Sequence, residues 1–269
     1  MLSKIFAGLE NLLSSEIETK DIFHKEETKG EVDTKAKPGP KVLTPEDILY
    51  FKEHECPVCA RSFMHPTAKL RTAKYTHSDT DLRMYYDPID PMYYDVIFCV
   101  HCGYAAIARN FKKISSKQEL LIKEKISENF KPTEYPLVLS VDQAIERYKM
   151  ALLSTVVKGG KDGEKAYLCL KLAWLHRDKK DEASEKEFME NALKGFTEAY
   201  QKETFPICGL EEHTLMYIMA DLSRRLGDRE SCLRYLGTLI VNKNVSPKLK
   251  DKALELKELV IKTTITKTK

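Results

Sequence analysis

The chain has 269 residues, 42% hydrophobic and 32% charged, with a formal net charge of +3. That balance fits globular chains with real cores and gives no basic excess for strong polyanion binding. No run approaches the roughly 18 apolar residues of a membrane span, and the N-terminus lacks the basic start and apolar core of a signal peptide.

By segment the charge is −4 over residues 1–55, +3 over 56–130 and +4 over 131–269. Residues 1–18 place Leu2, Ile5, Phe6, Leu9, Leu12, Leu13 and Ile17 at helical spacing, which predicts an amphipathic helix. It folds back onto its own chain, docks a partner, or pairs with a second copy as a homo-oligomer. Residues 19–41 are charged, poor in apolar residues and closed by Pro38-Gly39-Pro40, the composition of a disordered linker.

Cys56-Pro57-Val58-Cys59 and Cys99-Val100-His101-Cys102-Gly103 follow. Two C-x-x-C knuckles offer four thiolates, the ligand set of a closed tetrahedral zinc site. Such a site is structural, because no coordination position stays open. Gly103 supplies the left-handed backbone that a knuckle turn requires. The expected cofactor is therefore one structural zinc on Cys56, Cys59, Cys99 and Cys102. The other cysteines, Cys169, Cys208 and Cys232, fall in helix-like sequence, the usage of a reducing cytoplasm.

Thirty-nine residues, 60–98, separate the knuckles. Their charge is segregated, with Arg61, Lys69, Arg71 and Lys74 preceding Asp79, Asp81, Asp87, Asp90 and Asp95. Tyr75, Tyr85, Tyr86, Tyr93 and Tyr94 are interleaved. One reading is a recognition surface formed by Arg71, Tyr75, Asp79, Asp81, Tyr85, Tyr86, Tyr93 and Tyr94. The plainer one is two antiparallel strands whose opposite charges pair. Asp79-Thr80-Asp81 alone is too short a pattern for a metal loop. Tyr93–Phe98 reads as a strand entering the second knuckle.

Beyond residue 115 the pattern is helical. Ser116 with Glu119, and Ser140 with Gln143, match capping boxes. The second helix runs from Val141 to Val157 and stops at Gly159-Gly160. Residues 166–175 and 213–222 align with Ala173 over Ala220, and Ala192 and Phe196 align with Cys232 and Leu236. Separations of 47 and 40 residues give an irregular repeat with tetratricopeptide-like logic. Ser246-Pro247 opens a last helix. The fold class is thus α+β, mostly α: a zinc-ribbon-like domain over 42–114, then an antiparallel helical-hairpin array over 115–269.

The residues Cys56-Pro-Val-Cys59 with Phe63, Asp79-Thr-Asp81-Leu82, Pro91, Tyr94 and Cys99-x-x-Cys102-Gly103-Tyr104-Ala105 together resemble the bacterial domain-of-unknown-function family 2225. The resemblance continues through Phe111, Asn129-Phe130-Lys131-Pro132, Ala144–Tyr148 and Ala173-Trp174-Leu175. It implies a zinc-ribbon-like part and tetratricopeptide-like helices, and supplies no catalytic residue. No P-loop, dinucleotide fingerprint or nucleophile–base constellation occurs. The expectation is a cytoplasmic, non-enzymatic adaptor for a protein or peptide partner. The alternative is a nucleic-acid or ribosome-associated ribbon using Arg61, Lys69, Arg71, Lys74 and Tyr75.

Overall fold

Each cysteine pair is the loop of a β-hairpin. In the computed structural model, which describes residues 43–69 and 71–267 with side chains to Lys262, β1 (Leu49–Glu55) pairs antiparallel with β2 (Ser62–Ala68). The register runs from Leu49↔Ala68 to Glu55↔Ser62, so the first knuckle closes the hairpin. A single helical turn, α1 (Pro45–Ile48), leads into it and is boxed by Thr44 and Asp47. The expected helix over 1–18 and linker over 19–41 lie outside the described residues.

Within the insert, β3 (Lys74–Ser78) pairs with β4 (Met84–Asp87), setting Lys74 opposite Asp87 and Tyr75 opposite Tyr86. This is the small antiparallel sheet that the segregated charge predicts. Asp79–Arg83 forms its turn, closed by Asp79 N–H donating to the Arg83 carbonyl at 2.8 Å. The third hairpin joins β5 (Val96–Phe98) to β6 (Ala105–Ile107) around the second knuckle. The strand expected over Tyr93–Phe98 is shorter than its sequence suggests. Pro91–Tyr94 winds into a 3-10 turn, because Asp90 caps it by accepting from Met92 N–H and Pro91 presets its first residue.

The helices follow as α2 (Ser116–Ile122), α3 (Val141–Val157), α4 (Asp162–Asp178), α5 (Glu182–Lys202), α6 (Glu212–Arg225), α7 (Arg229–Val241) and α8 (Pro247–Lys267). The cap of α2 is Ser115 with Gln118, one residue earlier than the Ser116–Glu119 box. Ser115 has the extended backbone a cap needs, while Ser116 is already helical. The box of α3 is Ser140 with Gln143, as read from the sequence.

The pairs α4–α5 and α6–α7 share one 47-residue register. Asp181 and Asp228 cap the second helix of each pair, accepting from Ser184 and Ser231 N–H. Lys180 and Gly227 both take the left-handed conformation before those caps. The separation of 40 that aligns Ala192 with Cys232 differs from this by seven residues, two helical turns. It therefore selects the same helix face.

Cores join these parts. Met92, Val96, Phe98, Ala105 and Ile107 from the hairpin side belong to one buried cluster with Ala144 and Tyr148 of α3, Leu172 of α4, Phe196 of α5 and Leu222 of α6. The expected boundary at 114/115 runs through this cluster, and Leu43–Lys269 forms one unit. A second cluster packs the knuckles with Phe63, Tyr104 and Phe111 onto Ile122 and Ile126. Among the described residues no helix is long and apolar enough to cross a membrane.

Candidate functional site

The two knuckles bring their sulfurs together. The ligand atoms of Cys56, Cys59, Cys99 and Cys102 all lie within 4.8 Å of one another. Cys56 Sγ is 3.6 Å from Cys102 Sγ, and Cys59 Sγ is 3.7 Å from Cys99 Sγ. These separations far exceed a disulfide bond of about 2.05 Å. They match the edge, about 3.8 Å, of a sulfur tetrahedron around an ion at about 2.3 Å.

Each knuckle is built alike. Ala60 N–H donates to the Cys56 carbonyl at 2.9 Å, and Gly103 N–H to the Cys99 carbonyl at 3.0 Å. Ala60 at φ 55 and Gly103 at φ 76 occupy the left-handed turn position. Val58 N–H points at Cys56 Sγ from 3.4 Å. A Cβ on Gly103 would stand 2.6 Å from the Phe130 ring, so glycine is needed there twice over.

Four sulfurs at this spacing cannot all ionise unaided. Hydrogen bonds from Cys102 and Cys56 hold the Cys99 thiol far below its ordinary value. The contacts with Cys56 and Cys99, then burial, push Cys102 far above it. A divalent cation neutralises the set and lets every sulfur ligate as thiolate. His101 stays outside the cluster, its Nε2 directed at the Ser62 carbonyl at 3.2 Å. His54 lies against Phe63 and Phe111. The four cysteines are thus a group able to hold a metal ion.

A second constellation forms where the insert meets the helices. Asp81 is 0% exposed. Its carboxylate accepts from Arg177 Nη2 at 2.6 Å, Arg177 Nη1 at 3.2 Å and Trp174 Nε1 at 3.0 Å. Asp79 accepts from Arg177 Nη1 at 2.6 Å and from the Tyr85 hydroxyl at 2.9 Å. Thr80 Oγ1 donates to buried Asp221 at 2.9 Å and accepts from Arg224 and Arg225. Arg83, also buried, pairs with Asp90 at 2.5 Å and Asp178 at 2.8 Å. Burial pushes the Asp81 carboxyl up, but the hydrogen bonds and charge of Arg177, with Arg225, more than offset this and hold it below the usual range.

The residues read as a recognition surface divide accordingly. Arg71 and Tyr75 face solvent. Asp79, Asp81 and Tyr85 are turned inward to the helices or to one another. Tyr93 donates to Asp178 at 3.3 Å. Tyr94 is buried and accepts from Leu139 N–H at 2.9 Å. Tyr86 is half-buried against the Tyr75 ring. Sequence reasoning names Thr80 only within the Asp79-Thr80-Asp81 pattern and misses Arg83, Arg177, Asp221, Arg224 and Arg225 as members of this cluster. One signal was available: Asp221 interrupts the apolar run Tyr217–Leu222 at the position equivalent to Trp174.

Comparison with known proteins gives one result. Residues 49–260 match the family described as "Uncharacterized protein conserved in bacteria (DUF2225)", and the chain belongs to it. No curated protein and no solved structure matches.

Proposed function

We propose that this member of the DUF2225 family is a cytoplasmic, non-enzymatic scaffold in which a structural zinc ion fixes the hairpins and the helical array binds a segment of a protein partner. The four-thiolate set favours zinc, which takes closed tetrahedral sulfur sites in structural roles. Cys56, Cys59, Cys99 and Cys102 would hold it, and it would supply folding energy rather than chemistry. Free thiols at Cys169, Cys208 and Cys232 accord with a reducing compartment.

The observation that carries the scaffold reading is the array's own occupant. The ends of α4 and α6 hold a non-helical segment, Asp79–Arg83, through side chains of both helix pairs. Helical-repeat arrays present extended surfaces on which peptide segments bind. A second reading draws on the exposed basic residues Arg61, Lys69, Arg71 and Lys74 of the insert and on Tyr75, which is 51% exposed. Basic and aromatic side chains of this kind suit nucleic acid.

One experiment separates them. The full chain, tagged, is used for capture from the native cell in three forms: wild type; Lys171→Glu/Arg224→Glu, which alters the ammonium over the Trp174 ring and the guanidinium on Thr80; and Arg61→Glu/Lys74→Glu. A protein retained by wild type and by the second variant but lost with the first supports the scaffold. Nucleic acid retained by wild type, lost with the Arg61/Lys74 variant and released steeply by salt supports the alternative.

A further inference from the structure

The turn Asp79–Arg83 is held more like a ligand than like a hairpin loop. Leu82 sits at φ 67, a conformation that bulky side chains avoid. It persists because its side chain packs against both the cluster of α3–α6 and the cluster of α6–α8. The partners are contributed by equivalent positions of the two helix pairs. Trp174 and Asp221 stand 47 residues apart and bind Asp81 and Thr80; Arg177 and Arg224 stand 47 apart and bind Asp81 and Thr80 as well.

Open clefts adjoin the turn. One of about 390 Å³ is walled by Leu82, Leu170, Trp174 and Ile218. Another of about 310 Å³ lies between Thr80, Tyr217, Lys252 and Leu256. The groove therefore reaches solvent beside Thr80 and Leu82.

We propose that the groove across the ends of α4 and α6 is a binding site for an acidic segment bearing two carboxylates one residue apart followed by an aliphatic side chain, occupied here by the chain's own Asp79-Thr80-Asp81-Leu82. This deepens the scaffold reading and rests on it. The partner segment has the same chemistry and exchanges with the internal one. The internal copy competes at an effective concentration on the order of millimolar, so a segment enters the wild-type groove only by displacing that copy, and binds more tightly once the copy is weakened.

The test uses a fluorescent peptide of residues 76–86 and the full-length protein. Asp79→Asn/Asp81→Asn, which weakens the internal copy, is expected to bind the peptide at least about tenfold more tightly than wild type. Adding Arg177→Met should abolish binding, and a peptide with both aspartates changed to asparagine should not bind. A folded, metal-loaded Asp79→Asn/Asp81→Asn protein that ignores the peptide overturns the proposal, as does binding indifferent to Arg177→Met. Should that variant not fold, amide exchange on wild type decides. Excess peptide must speed exchange over residues 79–83, and unchanged exchange overturns the proposal. Peptide exchange without any protein captured from cells keeps the site and removes the scaffold role. A captured partner without peptide exchange does the reverse.

Discussion

Ala105 and Ser154 join the four-cysteine cluster to the helical array: the Ala105 amide, three residues beyond Cys102, donates to Ser154 Oγ of α3 at 3.2 Å, both residues fully buried. Arg147 and Tyr148 of the same helix reach the Val96 and Met92 carbonyls at 2.6 and 2.9 Å. Separate domains over 42–114 and 115–269 would let the helices survive a ribbon unfolded by chelation. These bonds and the shared core predict one coupled transition instead. A structural zinc contributes on the order of 10 kcal/mol, comparable to what a whole domain holds, about 5–15 kcal/mol. Chelation followed by circular dichroism should show helical signal lost together with the ribbon; retention of most helicity after complete metal removal would contradict this.

The clasp on Asp81 gives a stability prediction. Asp81→Ala leaves the buried Trp174 Nε1 without its acceptor, at about 1–3 kcal/mol, while Arg177 keeps Asp79 and Glu185. Asp81→Ala should therefore lower the urea unfolding free energy by that order. Asp81→Ala/Arg177→Met should be less destabilising than the sum of its single changes, because each single change already removes the Asp81–Arg177 contact. Strict additivity in the double-mutant cycle would show that the two side chains are not coupled.

His65 supplies the pH dependence. Burial, then the charge of Arg147, pushes its imidazole down from 6.5 to about 3. It accepts from Arg147 Nη2 at 2.9 Å as the neutral ring. With the folded value depressed, protons bind the unfolded chain first. Stability is full above about 6.5 and falls as pH drops towards 3. Between pH 7.5 and 5.0 the loss is about 2 kcal/mol at about 1.4 kcal/mol per pH unit. His65→Gln keeps an acceptor for Arg147 and should remove that part of the loss in urea titrations at equal metal content. An identical pH profile for variant and wild type would place the acid sensitivity elsewhere.

How far the sequence is legible follows from which interactions are local. The knuckles, Ser140 with Gln143, Gly159 and Pro247 act within a few residues, and each stands where the pattern puts it. Asp79-Thr80-Asp81 does not, because its partners lie 93 to 145 residues away. Local spacing carries no sign of them. Arg147 is 1% exposed, on a helix face where a long cation ordinarily reaches solvent. Its burial depends on the Val96 carbonyl and His65, both from the preceding hairpins. Ala60 takes the left-handed turn position without glycine's permissiveness, so only the Cys56–Cys59 spacing marks that turn.

Two glycines give a paired prediction. Gly227 has φ 87 with nothing within 4 Å of an added Cβ, so Gly227→Ala should cost only the left-handed backbone penalty, about 1–2 kcal/mol. Gly103→Ala adds a clash with Phe130 at 2.6 Å beside the ligand Cys102. It should be the more destabilising and should also weaken metal retention against a chelator, which Gly227→Ala leaves unchanged. Equal effects on melting temperature and metal retention would contradict the knuckle geometry.

X-ray absorption at the zinc edge, with metal stoichiometry on the same purified full-length sample, tests the metal centre most directly. The expected result is one zinc per chain with four sulfur neighbours at about 2.3 Å. A shell containing nitrogen or oxygen, or well under one metal per chain with Cys56, Cys59, Cys99 and Cys102 freely titratable in folded protein, would contradict it.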